Sequence, residues 1–153
     1  DDAMPRFWIT LDQAVHFVIS CLSRAKGGEI FVPRIPSMKI TDLANAISPE
    51  SKQKVVGIRP GEKIHETLIS EDEARNTIQF KECYLVQSNA GLRSELLKGR
   101  NGNSGKPVEE GFRYSSDNNS DWLKVDELRK LVDQIADDYG IEQSRWSMED
   151  IPE

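Results

Sequence analysis

Two arginines carry the clearest chemical potential in this sequence, because each stands beside bulky apolar residues rather than in a solvated run: Arg6 in MPRFWIT and Arg59 in GIRPGEK. A guanidinium is a planar fork that pairs bidentately with phosphate or carboxylate oxygens, so an arginine at the end of an element is suited to hold an anion. Spacing alone leaves an ordinary salt bridge open for each. After Arg59 the chain breaks at Pro60-Gly61, and Glu62 to Ile69 reads as a short helix in which Glu62 is a first-turn carboxylate favoured by the dipole. His65 with Glu62 and Glu66 would share one face of that helix, yet ExxHE lacks a second histidine and reads as a solvated face. His16 flanks an apolar helical stripe and is assigned a structural role. No GxSxG, GxGxxG, GxxxxGKS or HExxH pattern occurs, so no catalytic residue and no metal ligand is assigned.

The bulk composition narrows the classes. A chain of 153 residues with 37% hydrophobic residues can form one ordinary core. With 20 Lys and Arg against 26 Asp and Glu, the net charge of −6 argues against a nucleic-acid binder, and any anion site must be local. Cys21 and Cys83 form no CxxC pair, which fits a reduced, cytoplasmic protein. The stretch AVHFVISCL at 14–22 is too short to span a bilayer, so no membrane partner is expected, and the opening DDAMPRFWIT reads as the middle of something longer.

These arginines need elements to position them. Thr10 with Gln13 three residues later forms a capping box ahead of Leu11, Ala14, Val15, Val18, Ile19 and Leu22, a helical stripe closed by Gly27-Gly28. EIFVPR reads as a short strand, Thr41 caps a second helix carrying Leu43, Ala44 and Ile47, and KVVGI is a further buried-strand candidate. TIQFKECYLVQ supplies one or two strands. Residues from about 91 to 111 are rich in Gly, Asn, Ser and Lys and are expected to form a mobile loop. VDELRKLVDQIADDYG places Val125, Leu128, Val132, Ile135 and Tyr139 on one stripe of a last helix packed on the same core, ahead of an acidic tail at 141–153.

Four blocks, MPRFWITLDQAV, GGEIFVPRIPSMKITDLANAI, VVGIRPGEKIHETLIS and GKPVEEGFRYSSDNNSDWLKVDELRKLV, resemble in order the C-terminal part of the inverting UDP-N-acetylglucosamine 4,6-dehydratases. These are extended short-chain dehydrogenase/reductases that serve bacterial surface and flagellar glycan pathways. The resemblance implies an α/β fold of short strands with about four helices, a nucleotide-sugar-binding C-terminal domain over 1–140 from which the Rossmann half is absent. In full-length relatives that half holds NADP and the catalytic groups. This chain is expected to bind no cofactor and to be inactive alone.

The resemblance also implies roles for particular residues. Arg6 and Arg59 match arginines that contact the diphosphate, and Glu62 matches an acid near the ribose or uridine hydroxyls. Pro33, Ser37 and Met38, in VPRIPSMK, correspond to a segment against the uracil, where a thioether suits a flat ring. Pro5 departs from the threonine usual in relatives and removes a hydroxyl and an N–H just before Arg6. The expected partners are a UDP-sugar and further copies of the chain. Two alternatives stand beside this reading: part of a related UDP-hexose epimerase, and a non-catalytic module for oligomerisation.

Overall fold

The computed structural model describes residues 4–87, 89–98 and 104–141, so the acidic tail lies outside the described residues apart from Ile141. Strand β1 (Pro5–Phe7) leads into helix α1 (Leu11–Arg24), followed by β2 (Ile30–Pro33), β3 (Ser37–Lys39) and α2 (Ile40–Ile47). Then come β4 (Thr67–Ile69), a 3₁₀ turn (Glu71–Asn76), β5 (Thr77–Gln79), β6 (Cys83–Val86), α3 (Ala90–Lys98), β7 (Lys106–Pro107), β8 (Tyr114–Ser115) and α4 (Val125–Asp138). This is the mixed α/β fold expected, with short strands and four α-helices among the described residues.

Three small sheets organise the described residues. β1 pairs antiparallel with β3, setting Arg6 opposite Met38 and Phe7 opposite Ser37. A four-stranded antiparallel sheet runs in the order β2-β6-β5-β7, and β4 pairs with β8 across a bulge between Thr67 and Ile69. The one parallel pairing among the described residues is the isolated Ser37–Trp122 bridge.

The interior divides into two clusters. In the first, Val32, Ile69, Tyr84 and Tyr114 are buried, with Phe7, Val86, Val108 and Phe112 packed against them. Its aromatic rings pack in tilted pairs, Phe7 and Tyr84 each 4.9 Å from Tyr114 between centroids. In the second, Met38, Ala46 and Leu128 bring α2 and α4 together over β3, flanked by Trp8, Leu43, Leu123 and Val125.

Helix α1 begins as its sequence dictates: Gln13 N–H donates to Thr10 Oγ1 at 3.2 Å and Thr10 N–H to Gln13 Oε1 at 3.1 Å. It buries no residue, however, and Leu11, Val18 and Leu22 are 67%, 55% and 73% exposed. Four other expectations are corrected. Helix α2 starts at Ile40 with Lys39 as its cap, so Thr41 lies in the first turn rather than before it. KVVGI is not a strand: no neighbour among the described residues pairs with 54–58, and Val55 and Val56 stand 70% and 75% exposed. No helix spans 62–69, where bends lead into β4, because Thr67 and Ile69 pair with β8. Of the mobile loop expected at 91–111, residues 91–98 belong to α3 and 106–107 to β7, while 99–103 lie outside the described residues. None of the described helices is long and apolar enough to cross a membrane.

Candidate functional site

Residues 59 to 62 form a tight turn. Glu62 N–H donates to Arg59 C=O at 3.0 Å, Pro60 occupies the second position, and Gly61 has φ = 82° at the third, the left-handed conformation that a type II turn requires there. Glu62 Oε2 accepts from Arg59 N–H at 3.1 Å, so the carboxylate closes the same turn from its other side. The Arg59 side chain is left exposed at the tip.

Arg6 reaches this loop from β1. Its Nη1 donates to Ile64 C=O and its Nη2 to Lys63 C=O, each at 2.8 Å, while Nη1 also donates to Pro5 C=O at 2.8 Å. These bonds occupy three of the five guanidinium N–H donors. The ends of a β-turn lie within about 7 Å of each other and neighbouring Cα atoms about 3.8 Å apart, so the Arg59 Cα stands within about 11 Å of the Lys63 Cα. The two arginines far apart in sequence are thereby brought to one loop.

The remaining sequence-picked residues are placed differently. Ser37 is fully buried, and its Oγ accepts from Asn119 Nδ2 at 3.1 Å while its N–H donates to Asp121 C=O at 2.8 Å. Met38 is 5% exposed and belongs to the α2–α4 cluster. Pro33 ends β2 opposite Cys83. The loop between them is fixed at Ile35, whose N–H donates to the Tyr114 hydroxyl and whose C=O accepts from it, both at 2.9 Å. Burial pushes the Tyr114 phenol above its ordinary pKa, which keeps this donor protonated. A cleft of about 190 Å³ lies beside this loop, bordered by Arg34, Lys81, Tyr84, Asn119 and Asp121.

Sequence reasoning assigned nothing to Arg113 and dismissed His65, yet they meet. Arg113 Nη1 donates to His65 Nε2 at 3.2 Å and its Nη2 to Asp117 Oδ2 at 3.1 Å, with His65 Nδ1 3.9 Å from the same oxygen. Asp117 Oδ1 accepts a short hydrogen bond from Ser115 Oγ. That hydroxyl above all, aided by Arg113, holds the Asp117 carboxyl below its ordinary pKa against the opposing effect of burial. The only sequence signal for this group was the polar run RYSSDN, whose serines and asparagine favour turn-building side-chain bonds.

A dinucleotide cradle needs a glycine turn opening a helix; among the described residues, Gly27, Gly28, Gly57, Gly61, Gly111 and Gly140, which adopt positive φ, all lie away from helix N-termini.

The chain is 44% identical over 135 residues to the UDP-N-acetylglucosamine 4,6-dehydratase (inverting) of Campylobacter jejuni, a match covering 86% of this chain and 40% of that protein. It is 27% identical over 143 residues to the UDP-glucose 4-epimerase of Rickettsia massiliae, covering 86% of this chain and 39% of the relative. The X-ray structure of Pen from Bacillus thuringiensis superposes with a TM-score of 0.71 at 28% identity, over 88% of this chain and 40% of that one. The chain thus spans about 40% of the length of the curated relatives it matches. The profile of one family, described as polysaccharide biosynthesis protein, matches residues 1–88 of the 153. That match takes in both arginines and the turn between Arg59 and Glu62, and by it the chain belongs to the polysaccharide biosynthesis protein family.

Proposed function

We propose that this chain is the UDP-sugar-binding portion of a UDP-N-acetylglucosamine 4,6-dehydratase (inverting) of bacterial surface or flagellar glycan biosynthesis, cytoplasmic and inactive without an NADP-binding half. The observation that carries the proposal is the Arg6 fork seated on Lys63 and Ile64, which ties one guanidinium to the loop that presents the other. Arg59, exposed at the tip of a stiff turn, supplies the main donors to a diphosphate. Arg6 holds the loop and offers its two remaining N–H donors to the same anion. The 44% identity to a protein named for UDP-N-acetylglucosamine supports this ligand class.

The chemistry of such a dehydratase is oxidation at C4, elimination of water across C5 and C6, and return of the hydride to C6 with inversion at C5. None of these steps is assigned to a residue of this chain; its part is to bind and orient. Glu62 closes the Arg59 turn through one oxygen. Its other oxygen is the acceptor proposed for a nucleoside hydroxyl, and Pro33, Ser37 and Met38 form the wall proposed beside the uracil, with the two buried side chains shaping it from below. Titration calorimetry with UDP tests the reading. Arg59→Ala should weaken UDP about tenfold or more, since a charge-assisted bond contributes roughly 1.5–3 kcal/mol. An unchanged affinity in that variant refutes it.

A second reading, a module for oligomerisation, is favoured by α1, whose apolar stripe of Leu11, Val15, Val18, Ile19 and Leu22 lies open. Light scattering should then detect species above 17.3 kDa that Leu22→Glu shifts toward monomer. A 17.3 kDa monomer at every concentration overturns that reading.

A further inference from the structure

The loop that presents Arg59 has little to hold it in place from its own side. Among the described residues no strand pairs with the exposed stretch 54–58, and the nearest side-chain fastening before it is Gln53 on Thr41 and Asn45, so the turn is held most closely from its C-terminal side. There, Arg6 takes the carbonyls of Lys63 and Ile64. Among the described residues, the other hydrogen bonds that tie 63–66 to the rest of the chain come from one short segment, 113–118.

That segment is a rigid mount. Asn118 Nδ2 donates to Arg113 C=O at 2.7 Å, Asn118 Oδ1 accepts from Ser115 N–H at 3.0 Å, and Ser115 and Ser116 are fully buried. Ser116 Oγ donates to Pro5 C=O at 3.1 Å, which ties the mount to the strand bearing Arg6. Ser116 N–H donates to Glu66 C=O at 2.8 Å, and Glu66 N–H donates to Ser116 Oγ at 3.0 Å. Beyond this backbone seam, one side-chain link reaches back toward the turn: Arg113 grips His65 with one arm and Asp117 with the other. Because His65 Nε2 accepts from the guanidinium, its proton sits on Nδ1, facing Asp117.

We infer that Arg113, His65 and Asp117 form a clamp that positions the Arg59 turn for its anion, Arg113 and His65 acting as positioning residues that do not touch the ligand. The inference rests on the UDP-binding reading above and adds to it the part that aims the binding arginine. A fork is needed for this task. Arg113 must donate in two directions at fixed separation, which the point charge of a lysine ammonium on a flexible stem does not reproduce.

The test compares Arg113→Lys, His65→Ala and His65→Gln in the 153-residue chain. Each variant is measured by UDP calorimetry, by hydrogen exchange of the Gly61 and Glu62 amides, and by thermal melting as a control for folding. Arg113→Lys and His65→Ala should weaken UDP about tenfold and speed exchange at the turn about tenfold, the change expected from losing roughly one aligned charge-assisted bond. His65→Gln, whose side-chain oxygen can still accept from Arg113, should keep both near wild type. A merely favourable local charge predicts instead that Arg113→Lys binds like wild type, and that result overturns the clamp. Should the parent chain itself not bind UDP, the nucleotide reading fails, and the clamp is then judged on exchange alone: unchanged exchange in Arg113→Lys refutes it, and faster exchange supports it. Faster exchange together with unchanged UDP affinity in a chain that does bind also refutes the positioning role.

Discussion

Tyr114→Phe offers a well-bounded perturbation, because it deletes one atom whose partners are all known. The hydroxyl of this 4% exposed residue makes two bonds to Ile35, donating to its carbonyl and accepting from its N–H, each 2.9 Å long. After deletion the carbonyl still accepts from Asn119 Nδ2 at 2.8 Å, so only the Ile35 N–H is left without its acceptor. A half-buried donor stranded in this way costs at most about 1–3 kcal/mol. For a chain of this size about 2–4 °C of melting temperature accompanies each kcal/mol, so the variant should melt about 2–12 °C lower. Denaturant titration should lower the midpoint without changing the slope, since the same surface is exposed on unfolding. The pH dependence gives an independent check. Burial raises the folded pKa of Tyr114, so its contribution is complete below the ordinary value of 10.0 and is lost as the pH climbs from there through the folded value. Wild type should therefore show a steeper alkaline decline than Tyr114→Phe, in which the Cys83 thiol, also raised by burial, still contributes. A loss below about 0.5 kcal/mol, within the range of an inconsequential surface change, refutes the argument that this hydroxyl fixes the loop.

Two further substitutions test the frame around the site. Gly105→Ala should cost about 1–3 kcal/mol, because its Cβ would stand 2.2 Å from Ile78 Cγ2 and 2.8 Å from Phe80 Cζ; an unaltered urea midpoint contradicts that packing. Asp117 has a folded pKa held below 3.8, so it stabilises the fold above that value and the contribution disappears as the pH falls through the folded pKa. Asp117→Asn should flatten the acid limb of a stability-against-pH curve, and an acid limb identical to wild type rules out this carboxylate as its source.

Local rules were legible where one short stretch contained every participant. The capping box of Thr10 and Gln13, the turn at Pro60-Gly61 and the stripe around the buried Leu128 each follow from spacing within a few residues, and each is present. Failures came where the deciding partner was distant. Val55 and Val56 have the branched side chains of a strand, but a strand is a pairing, and nothing in VVGI specifies a neighbour. Glu62 to Ile69 has the charge pattern of a helix start, yet Thr67 and Ile69 find Ser115 and Tyr114, about fifty residues onward. At 90–98 the surrounding glycines and asparagines outweighed the helix formers Glu95, Leu96 and Leu97 in the composition. The same distance effect hid the clamp, since His65 and Arg113 are 48 residues apart.

The placement of the two arginines constrains how any anion can be held. A guanidinium with three N–H groups on carbonyls is fixed in orientation and has two left to donate, so on the proposed reading Arg6 would be chiefly a mount and only secondarily a ligand. Arg59 is the reverse: its backbone is locked by the turn, and its side chain remains long, exposed and adaptable. On the proposed reading, an anion reached from this loop would draw its specificity from the rigid partner and most of its attraction from the flexible one. Because the mount and the tip are joined through Lys63, Ile64 and the seam at Ser116, a change in β1 or at 113–118 is transmitted to Arg59 without any contact with the ligand. In a chain of net charge −6, any selection of an anion would rest on such local geometry rather than on long-range attraction.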